Sequence, residues 1–218
     1  MIADLKKLIA IPLEIDISFF LLLFFLPISN YFIGGTILGL STLAVLPTVF
    51  LFALLHEYGH CWAAHRCGIG VISIKLWCLG GLATLEDTFE IAPPMNEIFI
   101  AFAGPLVNLI ISLIAGIAAL IFGANIFLAY IIAVNQVLAI FNLIPAFPMD
   151  GGRILRGLLH YFLDDREKAT LISAKIGVLM SIGFLSVGFY SGNILLMMIF
   201  GWVGMICYSI LQDKSTIA

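Results

Sequence analysis

The stretch Leu51-Phe52-Ala53-Leu54-Leu55-His56-Glu57-Tyr58-Gly59-His60-Cys61-Trp62-Ala63-Ala64 sets three ionisable side chains inside an apolar run. On a helix, His56 and His60 lie one turn apart on one face. That is the spacing by which two imidazoles reach one tetrahedral zinc. Glu57 between them is not needed as a ligand. Its carboxylate lies beside the metal, where it can take a proton from a water. Ionisable groups in mid-membrane cost about 2.5–3.5 kcal/mol each on insertion scales. Three in five residues call for a compensating partner, and a bound zinc supplies one.

The surrounding chain is as apolar as this stretch. Of 218 residues, 62% are hydrophobic and 11% charged, against about 25% charged in a soluble domain. Mean hydropathy is +1.17. The expected class is an all-α membrane protein with six transmembrane helices, a single polytopic domain over 1–218. The net charge of −3 argues against a nucleic-acid partner. The four cysteines, Cys61, Cys67, Cys78 and Cys207, show no CxxC pairing and read as small apolar residues. No cleavable signal peptide is read in the first residues; 1–10 reads as a short amphipathic cytoplasmic start.

Spans are expected near 19–40, 43–64, 95–122, 125–141, 169–190 and 193–211, with a short helix at 150–163 and a polar loop at 164–168. Pro27 and Gly34-Gly35 are breaks within the first. Alternation at 11–17, and short β-rich runs at 71–76 and 82–86 around a turn at Gly80-Gly81, predict three strands of a small membrane-associated sheet. An open sheet must lie at the interface or against protein. With six spans, all ten Lys and Arg fall on or near one side. The positive-inside rule then puts both termini in the cytoplasm. Counting from Arg66 at ~1.5 Å per residue puts His60 and His56 about 9 and 15 Å into the cytoplasmic leaflet.

A catalytic zinc usually takes a third protein ligand, and Asp150 is the candidate. It ends Asn142-Leu143-Ile144-Pro145-Ala146-Phe147-Pro148-Met149-Asp150, before Gly151-Gly152. Broken backbone at membrane depth is tolerated where it lines a cavity or is buried in protein. Asp150 also reads as a helix N-cap, a role compatible with ligation. Asn142, if it faces the metal, can donate to a substrate carbonyl or its oxyanion. Asn108, in Gly104-Pro105-Leu106-Val107-Asn108, reads equally as an interhelical hydrogen bond or a site residue. Glu86, Asp87 and Glu90 read as surface charges, and His65 and His160 as non-ligands.

These motifs resemble the site-2 protease family of intramembrane zinc metalloproteases, in its short six-span archaeal and bacterial form. HExxH in an early span, GPLVN, the Gly80-Gly81 hairpin and NLIPAFPMDGG carry the resemblance over nearly the whole chain. It implies one zinc per chain held by His56, His60 and Asp150, with Glu57 as general base and Asn142 in oxyanion or substrate contact. Met149 stands where Leu is frequent. Many relatives carry PDZ or CBS domains, and neither is read in these residues. The expected activity is endoproteolysis of a transmembrane substrate within the bilayer, the substrate unwinding and adding to the strands at 71–76 and 82–86. Spans one and six are expected to part for its entry. The alternative is a non-enzymatic zinc-binding membrane protein, a transporter or scaffold. A transporter would need further polar residues deeper in the spans, and the outer halves offer no carboxylate or His.

Overall fold

The computed structural model describes residues 11–78, 80–86 and 92–213. The segment 1–10, Asp87, Glu90 and Lys214 lie outside them. The elements are β1 (Leu13–Ile15), α1 (Ile17–Arg66), β2 (Val71–Trp77), β3 (Gly80–Leu85), α2 (Pro94–Phe122), α3 (Ile126–Asn142), α4 (Asp150–Leu163), α5 (Arg166–Ser191) and α6 (Ile194–Gln212). The chain forms two compact units. One is Met1–Ile91 with Leu106–Ala139; the other is Ala92–Pro105 with Ile140–Ala218.

In the first unit, α1 is a helical hairpin. Asn30 Nδ2 donates to Thr42 Oγ1 at 2.7 Å, and the Phe19 and Phe50 rings are 4.5 Å apart. Along a straight helix these pairs would be ~18 and ~46 Å apart. The chain reverses at Gly35, with φ 77° and ψ −171°, a conformation open essentially to glycine alone. The two arms are therefore 17–34 and 36–66. The expected boundary near 41–42 is corrected. Ser41 and Thr42 are helical, and their hydroxyls donate to the carbonyls of Ile37 and Leu38 at 2.6 and 2.8 Å. Polar residues satisfied within their own helix do not mark a loop.

Four helices, α1, α2, α5 and α6, are long and apolar enough to cross a membrane, and α3 is a shorter apolar helix. With the two arms of α1 counted separately, these make the six expected passes of a multi-pass membrane protein. Phe32, Ile37 and Leu120 are 80%, 84% and 87% exposed, as lipid contact allows and water would not.

The three strands pair in the order β1-β2-β3. β1 runs parallel to β2, with Leu13 opposite Ile74, and β2 runs antiparallel to β3. The strand expected over 11–17 is shorter and ends at Ile15: the Asp16 N–H still donates to Leu76 O at 2.8 Å, while its side chain caps α1. Its Oδ1 accepts from Ser18 N at 3.0 Å, and its Oδ2 meets Lys75 Nζ at 2.9 Å. The expected turn at Gly80-Gly81 also shifts. Trp77 pairs with Gly80 and Leu76 with Gly81, so the connection is 78–79 and both glycines open β3.

In the second unit the segment 143–149 packs into the core. Ala146, Phe147 and Met149 are buried with Ala174 of α5 and Phe200, Val203 and Cys207 of α6. Cys207 Sγ–H donates to Phe147 O at 3.3 Å. Glu97, in the first turn of α2, is fully buried, and Arg156 Nε and NH2 reach its Oε1 at 2.7 and 2.6 Å. The loop expected at 164–168 contracts to two residues. Asp164 adopts a left-handed C-cap, and Asp165 caps α5 by accepting from Lys168 N at 2.9 Å.

Two outcomes are expected. Gly35→Val forces a branched residue into a glycine-only conformation and should cost about 1–3 kcal/mol, read as a lower thermal midpoint in detergent. The Ser18 amide, then Lys75, hold the Asp16 carboxyl well below the usual carboxylate range. A depressed folded-state value means stability that is full above about pH 4 and lost as the pH falls through that value. The thermal advantage of wild type over Asp16→Asn should therefore shrink as the pH drops below about 4.

Candidate metal centre

The C-terminal half of the arm 36–66 carries His56, Glu57 and His60, buried at 4%, 8% and 5% exposure. One turn of helix brings the imidazoles together edge to face, with ring centroids 4.7 Å apart. Their Nε2 atoms face each other at 3.1 Å. Two nitrogens bound at ~2.05 Å to one tetrahedral ion would stand about 3.3 Å apart. One ligand atom from each of His56, Glu57 and His60 fits within 4.8 Å of the others. Two imidazoles and a carboxylate are an N/O donor set that suits zinc. The residues present therefore fit the metal.

Glu57 and His56 each have a protein partner beyond the cluster. Glu57 Oε2 accepts from the Ala83 backbone N–H at 2.8 Å. That N–H therefore points away from β2, along the outer edge of β3. Close approach of the strand and Glu57 depends on Gly81, where a Cβ would strike Glu57 Cγ and come within 3.1 Å of its carboxylate. His56 Nδ1 lies 2.6 Å from Asn108 Oδ1. Asn108 is fully buried on α2, and its Nδ2 donates to Asn135 Oδ1 of α3 at 2.9 Å. Of the two readings open for Asn108, the structure has both: it bridges helices and it contacts a site histidine.

Asp150 and Asn142 belong to the second unit. Asp150 is buried at 6% exposure and is the first residue of α4. The N-cap position is Met149, which makes no side-chain cap bond, so the capping role expected for Asp150 is corrected. A carboxylate in a helix's first turn still interacts favourably with its positive end. Asn142 is the half-buried last residue of α3. His160, expected at a polar surface, is half-buried on α4.

Residues 44–126 and 114–184 match Peptidase family M50. The chain belongs to this family. It is 36% identical over 204 residues to a zinc metalloprotease of Methanocaldococcus jannaschii, covering 89% of this chain and 56% of that protein. A Synechocystis relative is 33% identical over 232 residues, 97% of this chain and 58% of the relative. The chain thus spans a little over half the length of these two M50 relatives. The solved structure of a site-2 protease from Methanocaldococcus jannaschii matches with a TM-score of 0.70 and 34% identity, over 92% of this chain and 91% of that one.

Two contributors had not been singled out from the sequence. The Ala83 amide left no signal, since a backbone donor has no residue type. Asn135 did leave one: it is an amide in the apolar run Ile131-Ile132-Ala133-Val134-Asn135, and polar residues within spans are site candidates by default.

The geometry predicts the metal content of detergent-purified protein. Wild type should hold about one zinc. His56→Ala and His60→Ala should each lose or strongly weaken it, and Glu57→Gln should keep it, as read by elemental analysis after dialysis.

Proposed function

We propose that this chain is an intramembrane zinc endopeptidase, cleaving a peptide bond within or near a transmembrane helix of a membrane-protein substrate in regulated intramembrane proteolysis. The observation that carries the reading is the His56-Glu57-His60 cluster, buried in an apolar helix with its carboxylate hydrogen-bonded to a strand edge. Membership of a peptidase family supports it.

In this reading His56, His60 and Asp150 hold one zinc, and residues 1–218 act as one catalytic domain in the bilayer, both termini cytoplasmic. Zinc supplies Lewis acidity toward the scissile carbonyl and makes water a nucleophile at neutral pH. Glu57 accepts the proton of the attacking water and returns it to the leaving amine. Asn142 donates its amide to the developing oxyanion. A helical peptide bond is shielded by its own hydrogen bonds, so the substrate unwinds locally before attack. The unwound segment adds to the outer edge of β3, and the Ala83 amide on that edge already faces the base.

Cleavage of a reconstituted transmembrane substrate tests this. Glu57→Gln should lower the rate by about 10²–10⁴-fold while zinc stays bound. Asp150→Ala should lose both zinc and activity; full zinc retention would move the third ligand elsewhere. Ala83→Pro removes the edge amide and should slow cleavage by about 10²-fold, the scale of a misplaced catalytic group. Unchanged cleavage in Ala83→Pro would end the strand-addition reading.

A further inference from the structure

Asn135 has no part in the roles assigned so far. It is fully buried on α3, and its carboxamide makes two directional bonds. Nδ2 donates to Ile131 O at 2.9 Å, one turn back on the same helix. Oδ1 accepts from Asn108 Nδ2 at 2.9 Å. A carbonyl oxygen can only accept. Ile131 O therefore turns the Nδ2 of Asn135 toward its own backbone and leaves Oδ1 facing Asn108. Asn108 must then present Nδ2 to Asn135, and the same Nδ2 points at a second acceptor, Phe52 O, at 3.4 Å. Its Oδ1 is left facing His56 Nδ1 at 2.6 Å. An oxygen acceptor at that position requires a proton on Nδ1. A neutral imidazole has one such proton, so the lone pair resides on Nε2. That is the nitrogen facing His60.

We infer that Asn135 is a positioning residue for the metal centre: acting through Asn108, it fixes the Nδ1–H tautomer of His56 and so keeps the lone pair on Nε2, the nitrogen that would ligate. The inference rests on His56 being a ligand, as in the proposed function. Without Asn135, the Asn108 amide loses the nearer of the two acceptors that set its orientation and keeps only Phe52 O at 3.4 Å. Turned over, it would offer an N–H to Nδ1, favouring the tautomer whose Nε2 carries the proton. Losing a partner that orients a ligand typically costs 10–100-fold in metal affinity.

The test compares wild type, Asn135→Leu and Thr48→Val in detergent. Thr48 of α1 shares a 2.6 Å hydroxyl bond with Tyr130 of α3, so its variant removes another side-chain bond holding α3 without touching the chain to His56. Zinc affinity is read by competition with a chelator of known affinity. The tautomer is read in metal-free protein from two-bond proton–nitrogen spectra of labelled histidine; the chain has only four histidines. Expected are a protonated Nδ1 at His56 in wild type, a ten- to hundredfold weaker zinc affinity with a mixed tautomer in Asn135→Leu, and wild-type behaviour in Thr48→Val. Wild-type affinity in Asn135→Leu would overturn the inference, and so would an equal loss in Thr48→Val. A wild-type His56 protonated on Nε2 would overturn it without any variant, which decides the matter even if Asn135→Leu does not fold. A wild type that binds no zinc would sink the metal reading instead, and the tautomer spectrum would still judge the hydrogen-bond chain.

Discussion

Inside the bilayer there is no water to complete a hydrogen bond, so each polar atom must find its partner in the protein. Much of the first unit follows from this. The Asn30–Thr42 bond joins the two arms of the α1 hairpin. Tyr130 of α3 reaches both the Thr48 hydroxyl and Val45 O on α1. The open edge of β3 obeys the same rule. A free edge amide in an apolar setting would be costly, and the Ala83 N–H is satisfied by the Glu57 carboxylate. A single bond thus satisfies one edge amide and holds an ionisable side chain in place. The glycine at position 81 is what lets strand and helix come close enough to make it.

The second unit meets the constraint differently. In its irregular segment 143–149, Ala146, Phe147 and Met149 are buried against α5 and α6. Phe147 is buried, and its carbonyl accepts from Cys207. Glu97 is buried without solvent and shared by two cations: Arg156 bonds it directly, and Arg166 NH1 stands 4.0 Å from its Oε2. Such a group adds little net stability against an apolar replacement, but removing one partner alone leaves a buried charge and is strongly destabilising. Its effect is to specify which turn of α4 meets the start of α2.

Legibility in the sequence followed the physics of each signal. The convergence of His56 and His60 was readable because i, i+4 spacing is a geometric statement that survives any tertiary context. The strands were readable from alternation, but their ends were not. Asp16 turns its side chain to a helix cap while its amide still reaches Leu76 O, and Gly80 and Gly81 join a ladder although glycine ordinarily signals a turn. Ser41-Thr42 looked like a break because polarity was read without asking where the hydroxyls bond. Gly34-Gly35 was visible as an interruption, yet a full chain reversal on Gly35 alone shows only in cross-arm pairs such as Asn30 with Thr42 and Phe19 with Phe50. Asp150 was readable as a buried acid beside broken backbone, whereas its place one residue inside the helix depends on Met149 adopting the extended cap conformation.

His56, Asn108 and Asn135 sit on three different helices and form one continuous chain of hydrogen bonds. The metal site and the packing of this unit are therefore not separable objects. In water, a lost link would be replaced by solvent at small cost. Here a missing acceptor leaves a buried donor unsatisfied, costing about 1–3 kcal/mol, and it also removes the directional information that the next amide needs. Substitutions along the chain are accordingly coupled, since residues within one network do not contribute additively. Breaking the second link after the first adds little, because the orientation of His56 has already been released. That directional dependence distinguishes a chain that positions a ligand from a set of polar contacts that merely hold helices together.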